Sequence, residues 1–109
     1  MIYELRTYWA APGKLDALNA RFRNITMALF ARHNIKVVGF WTATPPTAES
    51  GDLIYVLAFD DQAALTAAWS AFREDPEWKA GRAASEVDGS LTSKVTSVVM
   101  QSIDYSPAK

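Results

Sequence analysis

The chain contains no cysteine, which excludes disulfides, thiol nucleophiles and thiolate metal sites. It has one histidine, His33, so a multi-histidine metal centre is excluded as well. No stretch approaches the roughly 20 consecutive apolar residues that a membrane-spanning helix needs. The opening residues Met1-Ile2-Tyr3-Glu4-Leu5-Arg6 place charges inside an apolar run, unlike a secretory signal. A cytoplasmic protein without a membrane partner is the expectation. The net charge of −1 gives no electrostatic basis for nucleic-acid binding. Gly13 and Gly39 stand alone, and no Gly-rich phosphate loop, Ser-His-Asp order or metal-ligand spacing is found. Neither a metal nor a cofactor is expected.

What is present suits one domain spanning residues 1–109. Half of the 109 residues are apolar and 21% are charged, an ordinary globular balance. Four tryptophans is a high count, so aromatic surface must be buried or used for binding.

The chain is organised around Leu53 to Trp78. Leu53 to Phe59 reads as a strand that is apolar on both parities, so both faces of its sheet are expected to be covered. Asp60 or Asp61 can cap the helix that follows. Leu65, Trp69 and Phe72 recur at helical spacing and read as its core face. Asp75-Pro76 starts another short helix, to Ser85, which carries Trp78. Ahead of this stretch, Ile2 to Trp9 reads as a strand. Pro12 can open a helix whose stripe is Leu15, Leu18, Phe22, Ile25 and Leu29, about five turns long. Asn34 is the expected stop. Lys36 to Thr44 reads as a second strand, Thr44 to Asp52 as a loop, and Leu91 to Ile103 as a last strand.

The order β-α-β-β-α-β is the ferredoxin-like plan, an α+β fold with a four-stranded antiparallel sheet and helices on one face. An uncovered apolar face of four strands would exceed the roughly 300–600 Å² of the largest patch on typical monomers. A second copy of the same sheet is the simplest cover. The expectation is a homodimer joined through its sheet faces, a two-chain β-barrel.

Tyr3-Glu4-Leu5-Arg6-Thr7-Tyr8, Pro12-Gly13-Lys14-Leu15, Val38-Gly39-Phe40-Trp41, Leu53-Ile54-Tyr55, Leu57-Ala58-Phe59, Asp75-Pro76-Glu77-Trp78, Ser85-Glu86 and Asp104-Tyr105-Ser106-Pro107 together resemble the NIPSNAP domain family. They span nearly the whole chain in order. Asn34 stands where the family usually has Gly after Arg-His, and Asn holds the same backbone angle. The resemblance implies a dimeric α+β barrel and leaves activity undefined. The wider superfamily includes cofactor-free monooxygenases, isomerases and haem-handling proteins, one fold hosting several chemistries.

Candidate site residues follow from the strands. Glu4 and Arg6 share one parity of the first strand. If they point away from the helices they lie in the barrel interior, where the Arg6 fork suits a ligand carboxylate. The structural alternative is an Arg6–Glu4 pair. Tyr8, Trp41, Tyr55, Trp69 and Trp78 can line an apolar pocket with polar tips, one placed between helices and sheet and able to hold a flat aromatic compound. Against that, Trp69 has core spacing and Trp78 can plug the barrel end. His33 can serve as a general base, or simply end a helix where positive charge is favoured. Asp75, Glu77 and Glu86 offer carboxylates, although Asp75 reads better as a cap. Three functions are open: binding of a small apolar or aromatic ligand, cofactor-independent monooxygenase or isomerase chemistry with Arg6, Tyr8 or His33 in acid–base roles, and a protein-interaction module.

Overall fold

Strand β1 (Ile2–Ala10) pairs antiparallel with both β3 (Leu53–Phe59) and β4 (Thr92–Gln101), and β2 (Lys36–Trp41) completes the sheet outside β3. The spatial order is β2-β3-β1-β4. This is the ferredoxin-like arrangement, and it puts the chain's first strand in the centre. The computed structural model describes residues 1–108. Its thinnest dimension is 18 Å, the thickness of one sheet and one helical layer.

Residues directly opposite across a ladder share a face. Glu4 faces Leu57 and Val99, Arg6 faces Tyr55 and Ser97, and Tyr8 faces Leu53 and Val95. Tyr8, Leu53, Tyr55, Leu57 and Phe59 belong to one buried cluster with Leu18, Phe22, Leu29, Phe30, Leu65, Trp69 and Phe72 from the helices. Glu4 and Arg6 therefore point towards the helices, and the barrel-interior placement does not hold. The opposite face carries Leu5, Ile54, Val56 and Val98, and among the described residues no helix lies over it.

The local chemistry sets most boundaries. Asp61 caps α3 (Gln62–Glu74) by accepting from Ala64 N at 2.8 Å. Asp75 ends α3 and caps α4 (Pro76–Ser85), accepting from Glu77 N at 2.9 Å, with Pro76 in the first turn. Asn34 adopts the left-handed conformation at φ 57. Ile35 N then bonds Phe30 O at 2.8 Å and Asn34 N bonds Ala31 O at 3.2 Å. These two bonds are a Schellman stop, and Ile35 and Phe30 are both buried beside it.

Three expectations need correction. The first helix begins at Leu15, because Pro12-Gly13 forms a turn with Gly13 at φ 74. It is also interrupted: α1 (Leu15–Arg21) and α2 (Met27–Arg32) flank a π-helical segment at Phe22–Thr26. Strands β2 and β4 are shorter than the residue pattern suggests, ending at Trp41 and Gln101. In β2 the register slips between Val37 and Gly39, which leaves Val38 as a bulge.

Candidate functional site

The two central strands project four polar groups into the space beneath the helices. Arg6 is the hub. Its Nε donates to Tyr55 Oη at 3.0 Å, one terminal nitrogen donates to Glu4 Oε2 at 3.1 Å, and the other donates to Tyr8 Oη at 3.1 Å. The two tyrosine hydroxyls bond each other at 2.9 Å. Glu4 lies behind Arg6, 3% exposed. It also accepts from Trp69 Nε1 at 2.6 Å and from Ser97 Oγ at 2.5 Å. A carboxylate held by three donors fixes the guanidinium in front of it, as a buried charge requires.

Electrostatics follow from this packing. Burial works against the charge on Arg6, but Tyr55, Tyr8 and Glu4 outweigh it, and the guanidinium pKa is raised. Burial pushes the Tyr55 phenol well above its ordinary value; Tyr8 adds to the rise and Arg6 offsets only part of it. Tyr55 therefore keeps its proton at neutral pH and serves as a hydrogen-bonding group.

A cavity of about 210 Å³ opens in front of this network. Arg6, Tyr8 and Tyr55 form its floor, and Phe22, Trp69 and Trp78 are among its aromatic walls. The Arg6 guanidinium carbon sits 4.5 Å from the Trp69 ring centroid, a cation–π distance. Phe22 meets Tyr8 and Tyr55 edge-on, both with centroids 5.4 Å apart.

Arg21 is the wall residue that the sequence reading missed. It is 7% exposed, donates to Glu86 Oε2 at 2.8 Å and Ser85 Oγ at 3.2 Å, and lies 5.3 Å from the Trp78 ring centroid. Among the described residues, its Nε is the buried side-chain nitrogen or oxygen left without a hydrogen-bond partner. Such an orphan costs about 1–3 kcal/mol, and an acceptor brought by a ligand would remove that cost. The π segment places it: a bond of i to i+5 periodicity aligns residues five apart. Arg21 and Thr26 both reach the cavity, followed by Phe30 one turn on. A signal existed in the sequence, since Arg21 stands on the apolar stripe between Leu18 and Ile25.

The expected site residues divide. Arg6, Tyr8, Tyr55 and Trp78 meet at the cavity, and Trp69 joins them although its spacing read as core. Glu4 holds Arg6 from behind and is not on the wall. Trp41 is elsewhere: it is 51% exposed and folds over Gly39, where an added Cβ would lie 2.7 Å from its ring. His33 is elsewhere too. It ends α2, and its Nε2 lies 2.7 Å from Asp75 Oδ2. Asp75 and Glu77 bind Arg32, whereas Glu86 reaches the cavity wall.

The NIPSNAP family model matches residues 3–107. Solved structures share the fold. An uncharacterized NIPSNAP domain protein from Burkholderia xenovorans superposes with TM-score 0.81 at 21% identity, covering 98% of this chain and 99% of its own. A NIPSNAP family protein from Agrobacterium tumefaciens gives 0.84 at 18% identity, covering 99% and 98%. More distantly, MhuD, in a structure with two manganese protoporphyrin IX bound per active site, gives 0.63 at 11% identity, covering 94% and 95%. No protein of curated function matches.

Proposed function

The chain belongs to the NIPSNAP family, and on that footing we propose that it works as a homodimer, joined through its open sheet faces, that binds a small aromatic or apolar compound in the cavity of each protomer. The observation that carries this reading is the composition of the cavity: aromatic walls around a fixed Arg6–Tyr8–Tyr55 floor. Ligand sites are commonly mostly apolar with a few placed polar groups. Size supports a small guest. A dry cavity of roughly 150 Å³ is enough for benzene, and the cavity here is about 210 Å³. Pockets for drug-sized ligands begin at about 300 Å³.

The dimer rests on the open face. Val38, Val98 and Trp41 are each about half exposed there, beside Leu5, Ile54 and Val56. A twin sheet covers identical patches with each other.

Geometry favours binding over acid–base catalysis. A general base must come within hydrogen-bond reach of the substrate proton. His33 is engaged with Asp75 away from the cavity, the Glu86 carboxylate on the wall is tied up by Arg21 and Arg82, and Tyr55 is held protonated by its burial. A thermal-shift screen with single-ring arenes tests the reading, since a ligand at a hundredfold excess over Kd stabilises by roughly 2.7 kcal/mol. Stabilisation by small arenes, without their consumption, is the expected result. Consumption of the arene with oxygen uptake would favour the enzyme; no stabilisation, with a protein partner recovered instead, would favour the interaction module.

A further inference from the structure

From the hydrogen-bond arithmetic of the cavity floor and the charge of its walls, we infer that the ligand is an anion, a single-ring aromatic carboxylate whose oxygens accept from Tyr8 Oη and Arg6. The inference rests on the binding reading above and adds the chemical class.

Both tyrosine hydroxyls accept from Arg6, and they bond each other. One hydroxyl hydrogen is used between them. The other has no acceptor among the described residues. Tyr55 is wholly buried and Tyr8 is 8% exposed, so the spare donor belongs on Tyr8, facing the cavity. A guanidinium has five N–H donors, and the three bonds of Arg6 leave further N–H groups on its terminal nitrogens. The Arg6 side chain is 20% exposed, on the cavity side of Glu4. Floor and wall therefore present unfilled donors: the Tyr8 O–H, spare N–H groups of Arg6, and the buried Nε–H of Arg21. Among the described residues, no carbonyl or carboxylate takes them up.

Charge points the same way. The chain is acidic overall at −1, yet Arg6, Arg21, Arg73 and Arg82 all border this cavity, against the carboxylate of Glu86 on the wall and Glu4 behind Arg6. Positive charge is in excess around the cavity. A carboxylate is ionised at pH 7, since carboxyl groups titrate near about 4. It has two acceptor oxygens for the guanidinium fork and the hydroxyl. Its ring takes the space between Phe22, Trp69 and Trp78.

Calorimetric titration at pH 7 with three probes of matched ring size decides the matter: benzoate, toluene and benzylammonium. Benzoate is expected to bind at least about tenfold tighter than toluene, as a charge-assisted hydrogen bond provides, and benzylammonium is expected not to bind. Tyr8→Phe keeps the ring and removes the donor; it is expected to weaken benzoate about tenfold. Arg21→Met, checked for native fold by circular dichroism, is expected to weaken benzoate selectively. If toluene binds as tightly as benzoate, or benzylammonium binds, or Tyr8→Phe leaves benzoate unaltered, the anion assignment is overturned while the cavity remains a binding site. If none of the three binds, the binding reading itself falls.

Discussion

Trp69 touches both members of the Arg6–Glu4 pair: its ring lies 4.5 Å from the Arg6 guanidinium carbon, and its N–H donates to Glu4 at 2.6 Å. One helix side chain thus locks a charged pair that two residues of β1 create. Trp69→Phe keeps an aromatic ring and deletes the donor to Glu4. A hydrogen bond to a charged group contributes about 1.5–3 kcal/mol, so urea denaturation should show a loss of about 2 kcal/mol. Unchanged stability would mean that Glu4 is held by Arg6 and Ser97 alone.

Removing Glu4 should cost more. Breaking a buried ion pair by deleting one partner costs about 3–5 kcal/mol, because the remaining charge is left uncompensated. Arg6 retains 20% side-chain exposure, so Glu4→Ala is expected at the low end, about 3 kcal/mol, in the same denaturation assay. The variant should also bind arenes poorly, since Arg6 is no longer fixed.

Acid should unfold the protein through Asp75 and Glu86. The His33 contact, followed by the Glu77 N–H and Arg32, holds the Asp75 pKa below its ordinary 3.8 against the opposing effect of burial. For Glu86, burial raises the pKa, but Arg21 and Arg82 outweigh it and the result lies below 4.5. Both folded-state values are depressed, so the unfolded chain binds protons more readily. Their contribution is complete above the ordinary values and is lost as pH falls through the folded ones. Melting temperature should hold steady from neutrality down to about pH 5 and drop below it. Asp75→Asn keeps an oxygen for the cap and removes the charge. It should lower stability at pH 7 and flatten the acid limb, and an acid limb of unaltered slope would contradict the assignment.

Val56 lies on the open face, opposite Leu5 and Gly39. Val56→Lys puts a charge into the surface that a twin sheet would cover. Analytical ultracentrifugation should find wild type as a dimer and Val56→Lys as a monomer or an aggregate. A folded, unaltered dimer of Val56→Lys would place the subunit contact elsewhere.

Where a boundary depends on near neighbours, the residues announce it. Asp61, Asp75-Pro76 and Asn34 do so because caps and stops are made within a few residues. Strand parity likewise grouped Glu4, Arg6 and Tyr8 correctly. It could not say which side the helices would cover, since a period of two defines two faces and labels neither. The environment of Arg6 is therefore set by tertiary packing, which puts the helices on its side of the sheet. Trp41 leaves the cavity side for a related reason: the bulge at Val38 alters the register of β2 beyond it, and no residue type there signals a slip. Arg21 was hidden by the π segment, which has no sequence signature, although an arginine on an apolar stripe was a visible anomaly.

The four tryptophans provide the most direct test of the binding account. Trp69 and Trp78 border the cavity, whereas the Trp9 N–H bonds Ala48 O and Trp41 folds over Gly39. Their indole N–H resonances can be followed in a proton–nitrogen NMR titration with benzoate. On the binding account, saturable shifts of the Trp69 and Trp78 signals are expected while those of Trp9 and Trp41 stay in place. Movement confined to Trp9 and Trp41, or no movement of any of the four, would contradict it.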